Sequence, residues 1–86
     1  MLDPTWVYFQ IPPKEMTFVT RIFEGCEYVG VVTALDGKKG IGFIRTTEDT
    51  AKLAWEIIQS MPFPAAVLSY GEACRISGEE QRMQST

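Results

Sequence analysis

A chain of 86 residues has room for one domain with a thin core, and it carries no low-complexity run or internal repeat of the kind that builds fibres and solenoids. A net charge of −3 and a pI near 4.8 oppose the long-range attraction on which non-specific binding to nucleic acid or anionic membranes depends. No apolar stretch approaches the ~20 residues of a membrane span, so no membrane partner is expected.

The start, Met1-Leu2-Asp3-Pro4, has neither the basic nor the apolar region of a signal peptide, and the expected compartment is the cytoplasm. Thr5 to Ile11 then alternates, with Trp6, Tyr8 and Gln10 on one side and Val7, Phe9 and Ile11 on the other, which predicts a first strand. Pro12-Pro13 ends it and opens a helix whose apolar positions are Met16, Val19, Ile22 and Phe23, with Gly25 as its stop. Tyr28 to Leu35 is rich in β-branched residues and runs into Asp36-Gly37-Lys38-Lys39-Gly40, a turn sequence that joins it as a hairpin to a third strand at Ile41–Thr46.

Thr46 or Thr47 can cap a second helix, which Glu48 and Asp49 favour at its N-terminus. Ala51, Ala54, Trp55, Ile58 and Met61 form its apolar face, and Pro62 and Pro64 stop it. Ala65 to Tyr70 reads as a fourth strand. The domain is expected to span residues 1–76, and the polar residues 77–86, which lack an apolar stripe, to form a frayed tail.

The order β-α-β-β-α-β is that of the ferredoxin-like α+β sandwich: a four-stranded antiparallel sheet with both helices on one face. With Val7, Phe9, Ile11 and Ile44 turned to the helices, period-two geometry turns Trp6, Tyr8, Lys39, Ile41, Phe43 and Arg45 to the other face. The first and third strands are the central pair of this topology. Trp6, Tyr8, Ile41 and Phe43 would then form roughly several hundred Å² of bare apolar surface, which a second copy of the chain, a small ligand or stacked nucleobases could cover.

The chain contains no His and no Asn, which excludes His-based acid–base catalysis, Ser-His and Cys-His pairs and imidazole metal sites. The carboxylate pairs Glu24/Glu27, Glu48/Asp49 and Glu79/Glu80 are explained by helix ends and solvated charge. Cys26 and Cys74 are too few for a disulfide framework or a four-thiolate zinc site and read as partly buried structural thiols. Gly37, Gly40 and Gly42 are explained by the turn and by close helix packing rather than by a phosphate loop, since no helix follows them directly. No enzyme activity, cofactor or metal is therefore expected.

Three resemblances bear on this reading. Lys39-Gly40-Ile41-Gly42-Phe43-Ile44-Arg45-Thr46 resembles the RNP1 signature of RNA-recognition motif domains, and Val7-Tyr8-Phe9-Gln10 is similar to the companion RNP2. That likeness implies Tyr8 and Phe43 as stacking platforms and Lys39 as a phosphate contact, while Ile41 and Thr46 stand at ring positions of the signature and Ile11 where RNP2 has Asn. Phe23-Glu24-Gly25, Val31-Val32-Thr33-Ala34-Leu35-Asp36 and Gly40-Ile41 together resemble a small bacterial family known only as a domain of unknown function, over about residues 6–60. The element order is also similar to that of ACT domains, regulatory modules that bind amino acids at subunit interfaces and pair their sheets or edges. In those domains a Gly usually follows strand one; here the loop is Pro12-Pro13-Lys14-Glu15.

The leading expectation is a non-enzymatic, ACT-like module that forms a homodimer or larger oligomer through the open sheet face or an edge strand and encloses a small ligand, with Trp6, Tyr8, Ile41 and Phe43 as anchors. The alternative is an RNA-binding module that uses the same face with Lys39 and Arg45, against which the acidic charge counts.

Overall fold

The computed structural model describes residues 2–26 and 28–84, apart from the side chains of residues 79–84. Strand β1 (Val7–Gln10) passes through a 3-10 turn at Pro13–Glu15 into α1 (Met16–Glu24); β2 (Val31–Asp36) and β3 (Ile41–Arg45) form the hairpin; α2 (Glu48–Gln59), β4 (Ala66–Leu68) and α3 (Tyr70–Gln84) follow. The strands form one antiparallel sheet in the order β2-β3-β1-β4, the ferredoxin-like α+β arrangement with one helix added.

The register follows from the side-chain alternation. Tyr8 pairs with Phe43 and Phe9 with Gly42, so the rings of Tyr8 and Phe43 share one face while Phe9 points to the other, over a glycine. On the helix side Val7, Phe9, Ile11 and Ile44 join Val19 and Phe23 of α1, Ala54 and Ile58 of α2, and Val29 in one buried cluster. Gly42 makes room for Phe9: a Cβ there would lie 2.9 Å from Phe9 Cζ and 2.9 Å from the Thr33 carbonyl oxygen. Gly40 closes the hairpin at φ 71°, where a Cβ would also collide with the Ile11 carbonyl oxygen.

Thr47 caps α2, its N–H donating to Thr50 Oγ1 at 2.9 Å, whereas Thr46 is buried and donates its hydroxyl to the Thr5 carbonyl at 2.8 Å. Two residues expected on buried helix faces lie at their flanks instead: Trp55 is 46% and Ile22 38% exposed. At 3.6 residues per turn, Ala54 with Ile58 and Val19 with Phe23 take the central line and leave their neighbours at the rim. Cys26 packs half-buried against the helix-side cluster, but Cys74 is exposed rather than partly buried.

The largest departure from expectation lies at the C-terminal end. Strand β4 stops at Leu68, and α3 begins at Tyr70, taking in the residue expected to finish the strand and most of the segment expected to fray; residues 85 and 86 lie outside the described residues. The face expected to be bare is covered within the chain. Tyr8, Phe43 and Ala73 of α3 form a second buried cluster, with Leu2, Trp6, Leu35 and Leu68 packed against it.

Candidate functional site

The residues singled out on this face come together in part. Trp6 and Phe43 stack in parallel, with ring centroids 4.9 Å apart and planes 5° off parallel. Tyr8 lies against Phe43 at 5.9 Å and against Tyr70 of α3 at 6.2 Å, both tilted. The Arg45 guanidinium sits 5.4 Å from the Trp6 ring centroid and 6.0 Å from that of Phe43, within cation–π range. Ile41 lies on the same face two residues along from Phe43, opposite Gln10, and is buried. Lys39 does not join them. It stands in the hairpin turn before β3, beside Gln10, Pro12 and Pro64, at the end of the sheet away from Arg45.

This cluster is a packed layer rather than a free platform. Tyr8 is 1% and Phe43 5% exposed, and Trp6 is half-buried. The Tyr8 hydroxyl donates to the Asp3 carbonyl at 2.6 Å and accepts from the Asp3 N–H at 3.1 Å, so the chain before β1 folds back over the ring. Asp3 in turn accepts from the Thr5 N–H at 2.8 Å and the Thr5 hydroxyl at 2.5 Å, and Tyr70 Oη donates to the Leu2 carbonyl at 3.5 Å. A ligand stacking on Tyr8 or Phe43 would have to displace these groups.

Their ionisation is shifted away from neutrality. Burial holds the Tyr8 phenol above its ordinary range, and hydrogen bonding with the Cys74 side chain does the same for Tyr70. The Thr5 hydroxyl, then the Thr5 N–H, hold the Asp3 carboxyl below its ordinary range. Shifts in these directions keep the phenols neutral and the carboxylate charged near pH 7, the reverse of what poises an acid or base for proton transfer. Among the described residues no group of three or more Cys, Asp or Glu is placed to hold a metal ion, and no helix is long and apolar enough to cross a membrane.

The surface that stays exposed lies at the β2 edge of the sheet. Val31 is 65% and the nearby Tyr28 74% exposed. Val31 pairs with Arg45 on β3, and among the described residues no strand lies on the other side of β2. Between α1 and this edge lies a cleft of about 450 Å³ lined by Thr20, Phe23, Glu24, Gly30, Val31 and Val32.

Sequence reading missed α3, the return of the N-terminal segment over Tyr8, and the cleft. Two signals were present. Ser69-x-x-Glu72 is a capping-box pattern, and Asp3-Pro4 is a turn opening. The cleft had no sequence signal, because its wall is assembled from α1 and β2.

A family model described as "Domain of unknown function (DUF4911)" matches residues 9–64, about two thirds of the chain, from within β1 to the loop before β4. Trp6, Tyr8 and all of α3 lie outside the matched residues. No curated protein and no solved structure matches the chain.

Proposed function

We propose that this chain, which belongs to the DUF4911 family, is a non-enzymatic module that assembles with a second copy of itself through strand β2. The observation that carries this reading is the unprotected β2 edge. Of the two edge strands, β4 has only three residues and follows Pro62 and Pro64, features that blunt an edge. Strand β2 has six residues, no proline and no lysine; its one charge, Asp36, and its one irregularity, at Ala34/Asp36, both fall at its far end. Val31 to Ala34 therefore presents regular, unpaired N–H and C=O groups to solvent beside an exposed valine.

Antiparallel pairing of two β2 strands about a two-fold axis would satisfy those groups, bury Val31 and join the two sheets into one. The likeness of the element order to ACT domains, which pair their sheets or edges, is consistent with it. The cleft at Phe23 and Val32 abuts the same edge, so a small ligand seated there would lie at the interface. Trp6, Tyr8, Ile41 and Phe43 act in this reading as a covered layer that stiffens the sheet. The rings that an RNA-recognition motif would offer to bases are engaged by Trp6, the N-terminal segment and α3.

Light scattering over a concentration series is expected to give a species of twice the 9.7 kDa chain mass. Val31→Lys should shift dissociation toward the monomer by about tenfold or more, because pairing would bury a charge in place of the valine, beside Arg45, with the circular dichroism spectrum unchanged. A single-chain mass throughout the series for the unaltered protein would overturn the proposal.

A further inference from the structure

Helix α3 covers the sheet with few buried side chains among its described residues. Among its described side chains only Ala73 is buried, while Ile76 and Ser77 are half-buried and Tyr70 is 40% exposed. Its remaining described positions, Gly71, Glu72, Cys74, Arg75 and Gly78, face solvent. Gly78 lies inside the helix, where glycine is less favourable than alanine, and no packing requires it: a Cβ at that position would meet nothing within 4 Å. The beginning of the helix, by contrast, is well made. Ser69 Oγ accepts from the Glu72 N–H at 3.1 Å, and Glu72 Oε1 accepts from the Ser69 hydroxyl at 3.1 Å. Over its described side chains, residues 70–78, the helix thus has a sound start, a small apolar footprint and a weakened middle.

The core on the other side of the sheet is built without α3 among the described residues. Among the described residues, every buried side chain of the helix-side cluster comes from β1, β3, α1, α2 or the loops beside them, and none comes from α3. We propose that α3 is a cover that opens by itself while the sheet stays folded, and that its opening uncovers Tyr8, Phe43 and Leu68. A segment with few buried apolar contacts belongs to the low-stability end of a structure's opening units. Any partner of the uncovered rings competes with α3, so its apparent affinity is set by the fraction of molecules in the open state. This device is distinct from β2 pairing: the cluster under α3 is built on Tyr8 of β1 and Phe43 of β3, Leu35 is the one β2 side chain packed against it among the described residues, and pairing would use the outer edge of β2 rather than this face.

The test compares two thiols introduced at fully buried alanines, Ala73→Cys in α3 and Ala54→Cys in α2, each in a Cys26→Ser, Cys74→Ser chain. Their reaction with a bulky aromatic disulfide reports exposure. The thiol at 73 is expected to react about a hundredfold faster than the thiol at 54, and well below the rate of an unfolded peptide. Adding Gly78→Ala should slow reaction at 73 by about fivefold and leave position 54 unchanged. Equal rates at 73 and 54 would mean that α3 leaves only on global unfolding, and an unfolded-peptide rate at 73 would mean that it covers nothing; either result overturns the proposal. Amide exchange in the unaltered chain gives the same comparison, with the Ala73 N–H, bonded to the Ser69 carbonyl at 3.1 Å, expected to exchange well before that of Ile44.

Discussion

Tyr8 joins three segments through one side chain: its ring packs on Phe43 of β3 and Tyr70 of α3, and its hydroxyl both donates to and accepts from the backbone of Asp3. Tyr8→Phe keeps the ring but leaves both Asp3 groups without this partner, for an expected loss of about 1–2 kcal/mol at neutral pH. The pH dependence follows from the raised phenol. An unfolded tyrosine ionises near its ordinary 10.0 and the folded Tyr8 only above that, so the stabilisation is whole below about pH 10 and is lost as pH rises through the folded value. Tyr70 is shifted in the same direction and contributes to the same loss. Urea unfolding at neutral and strongly alkaline pH should show the unaltered protein losing more stability between the two than Tyr8→Phe does. Equal losses would mean that the buried phenol is not the group responsible. The alternation of β1 made the direction of Tyr8 legible in the sequence. Its burial was not legible, because the covering groups come from Asp3 and from a helix more than sixty residues away.

Elements with a strong local signature are readable, and α3 marks where that stops. The hairpin turn was legible because Gly40 must take a positive φ, and α2 because a Thr cap, an acidic first turn and an apolar stripe agree. Helix α3 has no apolar stripe, and Val67-Leu68 before it invites a strand reading that runs on past Ser69. The competing signal was the Ser69-x-x-Glu72 box, which starts a helix where the strand was expected to continue. That cap is therefore the place to weaken α3 selectively. Ser69→Ala removes the oxygen that accepts from the Glu72 N–H and should cost the helix about 1 kcal/mol. Amide exchange of α3 should accelerate about fivefold while amides of β1 and β3 keep their rates. Equal acceleration in the strands would show that the helix and the sheet open as one.

In the whole molecule one sheet serves as the common wall of two unequal layers. Phe9 and Ile44 face the helix-side cluster, whereas their neighbours Tyr8 and Phe43 face the cluster under α3. The topology was legible because its connections are short and its helices fill the two crossovers of a familiar order. The third layer was not, since nothing in a β-α-β-β-α-β pattern calls for it. The dependence between the layers runs one way. The face under α3 exists only while β1 and β3 are paired, so loss of the helix-side core must remove both clusters, whereas loss of α3 need remove only one. Ile58, fully buried on the sheet-facing side of α2, tests the first half of that statement. Ile58→Ala should cost about 2–5 kcal/mol, a large share of the roughly 5–15 kcal/mol that stabilises a single domain. Unfolding followed at Trp6, within the α3 layer, and at Trp55, on the outer flank of α2, should then shift to the same lower midpoint, each measured with the other tryptophan replaced by Phe. A midpoint at Trp6 that stays in place while that at Trp55 falls would mean that the two layers do not share the sheet as their common support.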